Sequence, residues 1–328
     1  MEFFLQIIID GLTVGALYAL IALGFTMVYG ILLMINFAHA EMFMVGGFIG
    51  YGVLNLLSNK STIATASETL PFLRVLESTQ PFFTETLPGF VLMMLLVFGI
   101  AAVLTGCLGI VIERFAYRPL RKSPRLCALI SALGMSIFLQ NFILIAVDHR
   151  LIYPNLDFLS PDNAVNVFGY IRIAPIDLTI FCTAVVLLFI LDRFVSKTRM
   201  GKAMRATSQD KDAAGLMGIN INTVIALTFF IGPALGAVAG TFFGLKYGIV
   251  TFSMGLLPGI KAFTAAVFGC IGNLRGAMLG GFSIGLLEAF SSGFISITYR
   301  DVITFAILIL ILIFRPGGLL GESVVEKV

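Results

Sequence analysis

Charged side chains are scarce in this chain. They make up 12% of its 328 residues, against 59% hydrophobic, and a soluble globular domain carries about twice that charged share. A soluble fold is thereby excluded. Histidine is scarcer still: His39 and His149 are the two present, which argues against a histidine metal site, and no metal is expected. The four cysteines, Cys107, Cys127, Cys182 and Cys270, lie in or beside apolar runs and form no C-x-x-C pair. They read as small packing residues, not as a disulfide or metal set. No G-x-x-x-x-G-K-[ST] run occurs, so no nucleotide or other cofactor is expected in this chain. The first apolar run also lacks a basic segment ahead of it. Met1-Glu2 leads into apolar sequence that continues past Tyr29, which reads as a retained span and not as a cleaved signal. The net charge of +3 is small, and no nucleic-acid partner is expected.

What the chain has is apolar length. Segments fall at 4–33, 38–57, 90–113, 126–147, 176–195, 222–245, 256–272, 276–293 and 301–314. Runs of eighteen or more apolar residues are long enough to cross a bilayer, whereas a barrel would show short alternating stretches. The expectation is an all-α polytopic bundle of eight or nine crossings, some of them broken or re-entrant, forming one membrane domain over 1–328. The lipid bilayer is its first partner.

Loop charge sets the expected orientation. Residues 114–125 hold five basic side chains and no acid, and 193–212 hold six against Asp210 and Asp212. The loops at 58–88 and 148–175 are acidic on balance. Basic loops stay in the cytoplasm, so 114–125 and the polar island near 196–221 are expected inside, the other two loops outside, and the C-terminus inside.

That island, Arg193 to Asn222, is the least membrane-like stretch. Thr207 or Ser208 can cap a helix, Asp210 and Asp212 suit its first turn, and Ala213, Leu216 and Met217 share one small apolar face. Gly218 supplies a left-handed stop. The pattern predicts an amphipathic helix of about ten residues, its apolar knob available either to a separate ATP-hydrolysing protein or to the chain's own helices.

Within the membrane segments, Gly232, Gly236, Gly240 and Gly244 recur every fourth residue, and Gly11/Gly15, Gly276/Gly280 and Gly281/Gly285 repeat the spacing. Small residues at that interval let helix backbones approach closely, so these are packing seams first. Pro233 should kink its helix. Polar residues in apolar surroundings are the pathway or gating candidates, because burying them is costly without partners: Asn36, His39, Glu41, Gln140, Asn141, Lys261 and Glu288. The alternative role for each is an internal hydrogen bond that pins a broken helix. Residues 36–47 and 255–269 share a pattern of turn, one charged residue and small-residue helix, as duplicated transporter halves do.

Several strings are longer and more polar than chance membrane sequence. They are Gly11-Leu-Thr-Val-Gly-Ala-Leu-Tyr-Ala-Leu-Ile-Ala-Leu-Gly24, Met27-Val-Tyr-Gly30, Ile35-Asn-Phe-Ala-His39, Glu113-Arg-Phe-Ala-Tyr-Arg-Pro-Leu120, the stretch Ala128 to Asn141, Ile225-Ala-Leu-Thr-Phe229, Gly259-Ile-Lys-Ala-Phe-Thr-Ala-Ala-Val267 and Arg315-Pro-Gly-Gly-Leu-Leu-Gly321. Together they resemble branched-chain amino-acid ABC permeases of the LivH type over nearly the whole chain. The resemblance implies a bacterial inner-membrane subunit that pairs with a second, LivM-like permease and two cytoplasmic ATPases, which hold ATP and Mg. It also implies a periplasmic binding protein that delivers leucine, isoleucine or valine, with urea or short amides as the related alternative. The family's ATPase-coupling segment falls on Ala203 to Gly218, which adds Met204 to Ser208, Asp210, Asp212, Ala213, Leu216, Met217 and Gly218. The sequence departs from the family in its longer loop from Ser58 to Pro88 and in Ala40, where the family has glycine.

Two other functional classes make demands that the sequence meets less well. A secondary transporter or channel would need several acidic groups near the midplane, and Glu41, Lys261 and Glu288 are the charged residues that qualify. An intramembrane hydrolase would need Ser131 or Ser136 brought to His149, with no nucleophile elbow in the sequence. Neither explains the capped island, and the chain itself is expected to have no catalytic residue.

Overall fold

The computed structural model describes residues 2–314 and 318, apart from 33, 35, 60–61, 64, 66–73, 122, 148, 161–162 and 168–170. The Arg315 to Gly321 string and the C-terminal tail therefore lie outside the described residues, Gly318 excepted. So does much of the loop at 58–88.

Apolar length gives helices, as expected. In chain order they are α1 (Glu2–Leu32), α2 (Ala38–Ser58), α3 (Arg74–Glu85), α4 (Leu87–Ile112), α5 (Arg125–Ala146), α6 (Pro175–Lys197), α7 (Arg199–Gln209), α8 (Lys211–Leu216), α9 (Ile221–Tyr247), α10 (Leu256–Gly269), α11 (Leu274–Phe290) and α12 (Arg300–Phe314). Two π-helical turns, Glu113–Tyr117 and Ser291–Ile295, extend α4 and α11. Four three-residue strands sit in the connections: β1 (Arg150–Ile152), β2 (Val165–Val167), β3 (Ile171–Ile173) and β4 (Ile249–Thr251).

Helix ends follow local chemistry. Thr86, Thr198, Asn220 and Asn273 each turn a side-chain oxygen onto the first-turn amides of α4, α7, α9 and α11, satisfying donors that a helix cannot. Gly248 ends α9 at φ 70°, a conformation that glycine adopts without penalty. α9 continues through Pro233 as one helix.

Seven of these helices are long and apolar enough to cross a membrane. Among the described residues the count is below the eight or nine expected, because α10 has 14 residues and the described part of α12 has 15. At 1.5 Å per residue they reach only about 21–22 Å, short of a hydrocarbon core of about 30 Å. The two are short helices of the kind the sequence left room for.

α1, α2 and α9 form the buried centre. α11 runs antiparallel along α1, with Gly11 beside Leu286 and Gly281 beside Ala19, while α9 packs on α1, α2 and α4. α5 and α6 lie outside, mostly exposed. Cys107, Cys127 and Cys182 point outward from α4, α5 and α6, and Cys270 is half-buried. All four are free thiols, and three of them sit on the exposed faces of the outer helices.

The two ends of the bundle are distinct. At one end, Gln6 of α1 accepts a hydrogen bond from the Arg172 amide of β3 at 3.3 Å, and β1 pairs antiparallel with β4, bringing the ends of α5 and α9 together. At the other end, Arg121 donates to Asn222 at 2.6 Å and Arg275 pairs with Asp192 at 2.9 Å. Both basic loops belong to this second end.

Candidate functional site

The polar island folds as two helices, not one. α7 is capped by Thr198, whose hydroxyl accepts from the Gly201 amide at 3.0 Å. A second cap, Asp210, accepts from the amides of Asp212 and Ala213 at 2.8 and 3.0 Å and starts α8. The expected cap at Thr207 or Ser208 is corrected. Both hydroxyls bond backward inside α7, Thr207 to the Ala203 carbonyl and Ser208 to the Arg205 carbonyl, each at 2.8 Å, as these side chains do within a helix. The carboxylate wins because it accepts two amides and carries the charge that a helix N-terminus favours. Gly218 stands at φ 82°, the left-handed stop.

Exposure divides the island's residues. Leu216 and Met217 are 90% and 83% exposed, and Asp210, Asp212, Ala213 and Gly218 are exposed with them. Ala214 faces inward and is buried. Met204 is buried as well, and with Ser208 it lines an open cleft of ≈ 210 Å³ between α7, the end of α1 and Gly272. The structure thus splits the coupling candidates into an outer knob on α8 and an inner pair on α7. Lys211 ties them to the core by donating to the Leu32 carbonyl at 3.3 Å.

Two polar clusters lie inside the bundle. In the first, Glu41 is fully buried in the first turn of α2, and its Oε1 accepts from Ser136 at 3.0 Å and from Gln140 at 2.7 Å, both on α5. Its Oε2 has no hydrogen-bond partner among the described residues and lies close to Gly255. The neighbouring candidates do other work. Asn36 accepts from the Tyr117 hydroxyl. His39 is enclosed, edge-on to Phe25 with ring centroids 4.6 Å apart. Its nitrogens find no hydrogen bond of good geometry among the described residues, only a looser approach to the Ile21 backbone. Asn141 is not brought to the cluster. One residue beyond Gln140, it points away from the core, donating to the Ile137 carbonyl at 2.8 Å, because successive helical residues diverge by about 100°.

In the second cluster, Lys261 of α10 is 2.9 Å from Glu288 of α11 and 2.7 Å from Asp301 of α12. The Tyr18 hydroxyl donates to Glu288 at 2.7 Å, and Arg300 approaches both acids at 3.4 and 3.5 Å. Lys261 and Glu288 are therefore each other's counter-ions, which is how ionic groups persist at such depth. Sequence reasoning missed Tyr18, Arg300 and Asp301. Tyr18 is hidden among aliphatic residues, while Arg300-Asp301 passes for the polar edge of the last apolar run.

The two segments with a shared pattern meet. Gly255 sits against Glu41 and the Ala40 carbonyl, and Gly259 against the Ala40 methyl, so neither glycine has room for a Cβ. The α9 glycines all face inward: Gly232 toward α1, Gly236 and Gly240 toward Phe43 of α2, and Gly244 toward Tyr153. They serve contacts within this chain.

A family model described as branched-chain amino acid transport system / permease component matches residues 7–312. The chain is 44% identical over 331 residues to the high-affinity branched-chain amino acid transport system permease protein BraD of Pseudomonas aeruginosa, which spans 99% of this chain and 98% of that relative. It is 41% identical, with the same coverage, to the permease protein LivH of Escherichia coli K12. Identity falls to 27% over 187 residues, 52% of this chain and 53% of the relative, for a probable LivH of Methanocaldococcus jannaschii. No solved structure matches.

Proposed function

We propose, from the premise that this chain belongs to the family of branched-chain amino acid transport permease components, that it is the membrane-spanning subunit of an ATP-driven ABC importer for leucine, isoleucine and valine. It is a permease and not an enzyme. ATP and Mg reside in two ATPase partners on the basic side of the bundle, which is the cytoplasmic side of a bacterial inner membrane. A second, LivM-like permease completes the pathway, and a periplasmic binding protein delivers substrate to the opposite end. The C-terminal tail is cytoplasmic; the approach of Gly318 to Phe268 and Cys270, at the end where Arg275 meets Asp192, supports that side.

The observation that carries this reading is the exposed knob: Leu216 and Met217 leave the capped helix α8 almost wholly uncovered. In the mechanism, nucleotide-driven closure of the ATPases moves α8 through this knob, and hydrolysis returns it. The permease alternates between outward- and inward-open forms, with energy supplied from outside the chain. Reconstitution with both partner types tests the reading. ATP-dependent uptake of labelled leucine, isoleucine and valine, with none of urea, is the expected outcome. Uptake of urea alone, or transport without an ATPase, refutes it.

A further inference from the structure

Charge reaches the surface of this bundle at a depth where lipid would not accept it. α12 starts at Arg300, and its first side chain already lies 3.4 Å from Glu288. The other oxygen of Glu288 is bonded to Tyr18, which stands at the middle of α1, Glu2–Leu32. Lys261 and Glu288 are almost completely buried, but the Arg300 and Asp301 side chains are 45% and 35% exposed. An exposed ion pair at that depth requires water or another protein in front of it. The irregular backbone leading into α12 requires the same, and there Ile297 and Tyr299 are exposed. The surface in front of Arg300 is therefore not a lipid face.

Arg300 also has unused capacity. It approaches both Glu288 and Asp301 through Nε, and its two Nη groups donate no hydrogen bond to the protein among the described residues. A guanidinium fork left open in this way is a receptor for a carboxylate. Asp301 meets Lys261 and Arg300 through Oδ1, and its Oδ2 accepts no hydrogen bond among the described residues, which leaves it to meet a cation. Just ahead of Lys261 on α10, Leu256, Leu257 and Ile260 are exposed. A carboxylate receptor, an ammonium acceptor and an apolar surface thus lie on adjoining elements.

We propose that Arg300 and Asp301 form a transit site for an α-amino acid zwitterion: the Nη fork takes the α-carboxylate and the free Asp301 oxygen takes the α-ammonium. Lys261 and Tyr18 are positioning residues that hold the acidic pair. This rests on the amino-acid import reading and deepens it.

The test uses the reconstituted complex. Arg300→Gln should cut leucine uptake about tenfold or more, the scale of a lost charge-assisted contact. Arg300→Lys should assemble and raise the KM for uptake with kcat largely kept. In a chain whose four native cysteines are replaced by alanine, Arg300→Cys should react with a charged, water-soluble thiosulfonate. Millimolar leucine should slow that reaction and leucinol, which lacks the carboxylate, should not. Normal uptake by Arg300→Gln overturns the site, as does Arg300→Cys that is inert to the reagent because a subunit covers it, or equal protection by leucinol. Failure of the wild-type complex to import any branched-chain amino acid overturns the import reading as well, so the two failures are distinguishable. If Arg300→Gln does not assemble, the KM of Arg300→Lys and the protection pattern decide.

Discussion

Gly285 of α11 faces Gly15 of α1 so closely that a Cβ on Gly285 would run into the Gly15 backbone. Backbone cannot yield as a side chain can, and in lipid such seams are a main source of helix association. Gly285→Ala should lower stability by about 1–3 kcal/mol, the usual cost of overpacking. Gly134→Ala on α5, where nothing lies within 4 Å, should be neutral or slightly stabilising, since alanine is the better helix former by about 1 kcal/mol. Thermal melts of the purified protein in detergent compare the two, and equal destabilisation would refute the seam.

Leu216→Ala with Met217→Ala should leave stability within about 0.5 kcal/mol, because both side chains are already exposed. Uptake per ATP hydrolysed should fall by about tenfold or more, a loss of at least ~1.4 kcal/mol of coupling. Unchanged uptake in the double variant would remove α8 as the contact with the motor.

Asp210→Ala removes both side-chain bonds to the first amides of α8. The cost is about 1 kcal/mol, and it falls on a helix of six residues. Hydrogen exchange should quicken across 211–218 and stay unchanged in α7, which has its own cap at Thr198. Uniform quickening across both helices would contradict two separately capped units.

Glu41→Ala leaves Ser136 and Gln140 without their acceptor. Unsatisfied buried groups cost about 1–3 kcal/mol, and both donors are only half-buried, so the lower part of that range applies. Glu41→Gln keeps one acceptor oxygen and should cost less. The readout is the melting temperature, together with protease cleavage in the loops flanking α5, which should rise for alanine first.

Tyr153 donates to the Gly47 carbonyl at 2.6 Å, and burial pushes its phenol well above the usual tyrosine range. The folded state therefore prefers the neutral phenol. That stability is fully present below about pH 10, the unfolded value, and is lost as pH rises through the folded pKa. Tyr153→Phe should cost about 1 kcal/mol at neutral pH and flatten the alkaline decline. A steep decline retained in the phenylalanine variant would assign it to another group.

Much of this architecture is legible in the residues because lipid imposes a simple rule on length and polarity. The helix limits of α1, α2, α5 and α6 fall within a few residues of the apolar runs. The short helices were harder to place, since apolar sequence such as 256–272 does not reveal where a helix stops; Cys270 at φ 90° ends it early. The island's position was readable from its charge. Its internal division was not, because Thr207, Ser208 and Asp210 are all competent caps and the competition is settled by geometry. Glu41, Lys261 and Glu288 stood out as polar residues among apolar ones. Their partners Ser136, Tyr18 and Asp301 did not, because a contact between residues 40 or more apart, such as Lys261 to Asp301 or Ser136 to Glu41, leaves no trace in local pattern.

α1 is one unbroken helix from Glu2 to Leu32. Lys211, the first residue of α8, rests on its last carbonyl, and Tyr18 at its centre holds Glu288. The molecule therefore contains a pushrod. A displacement of α8 beneath Leu32 would reach the buried ion network along about 21 Å of one helix, without crossing a loop.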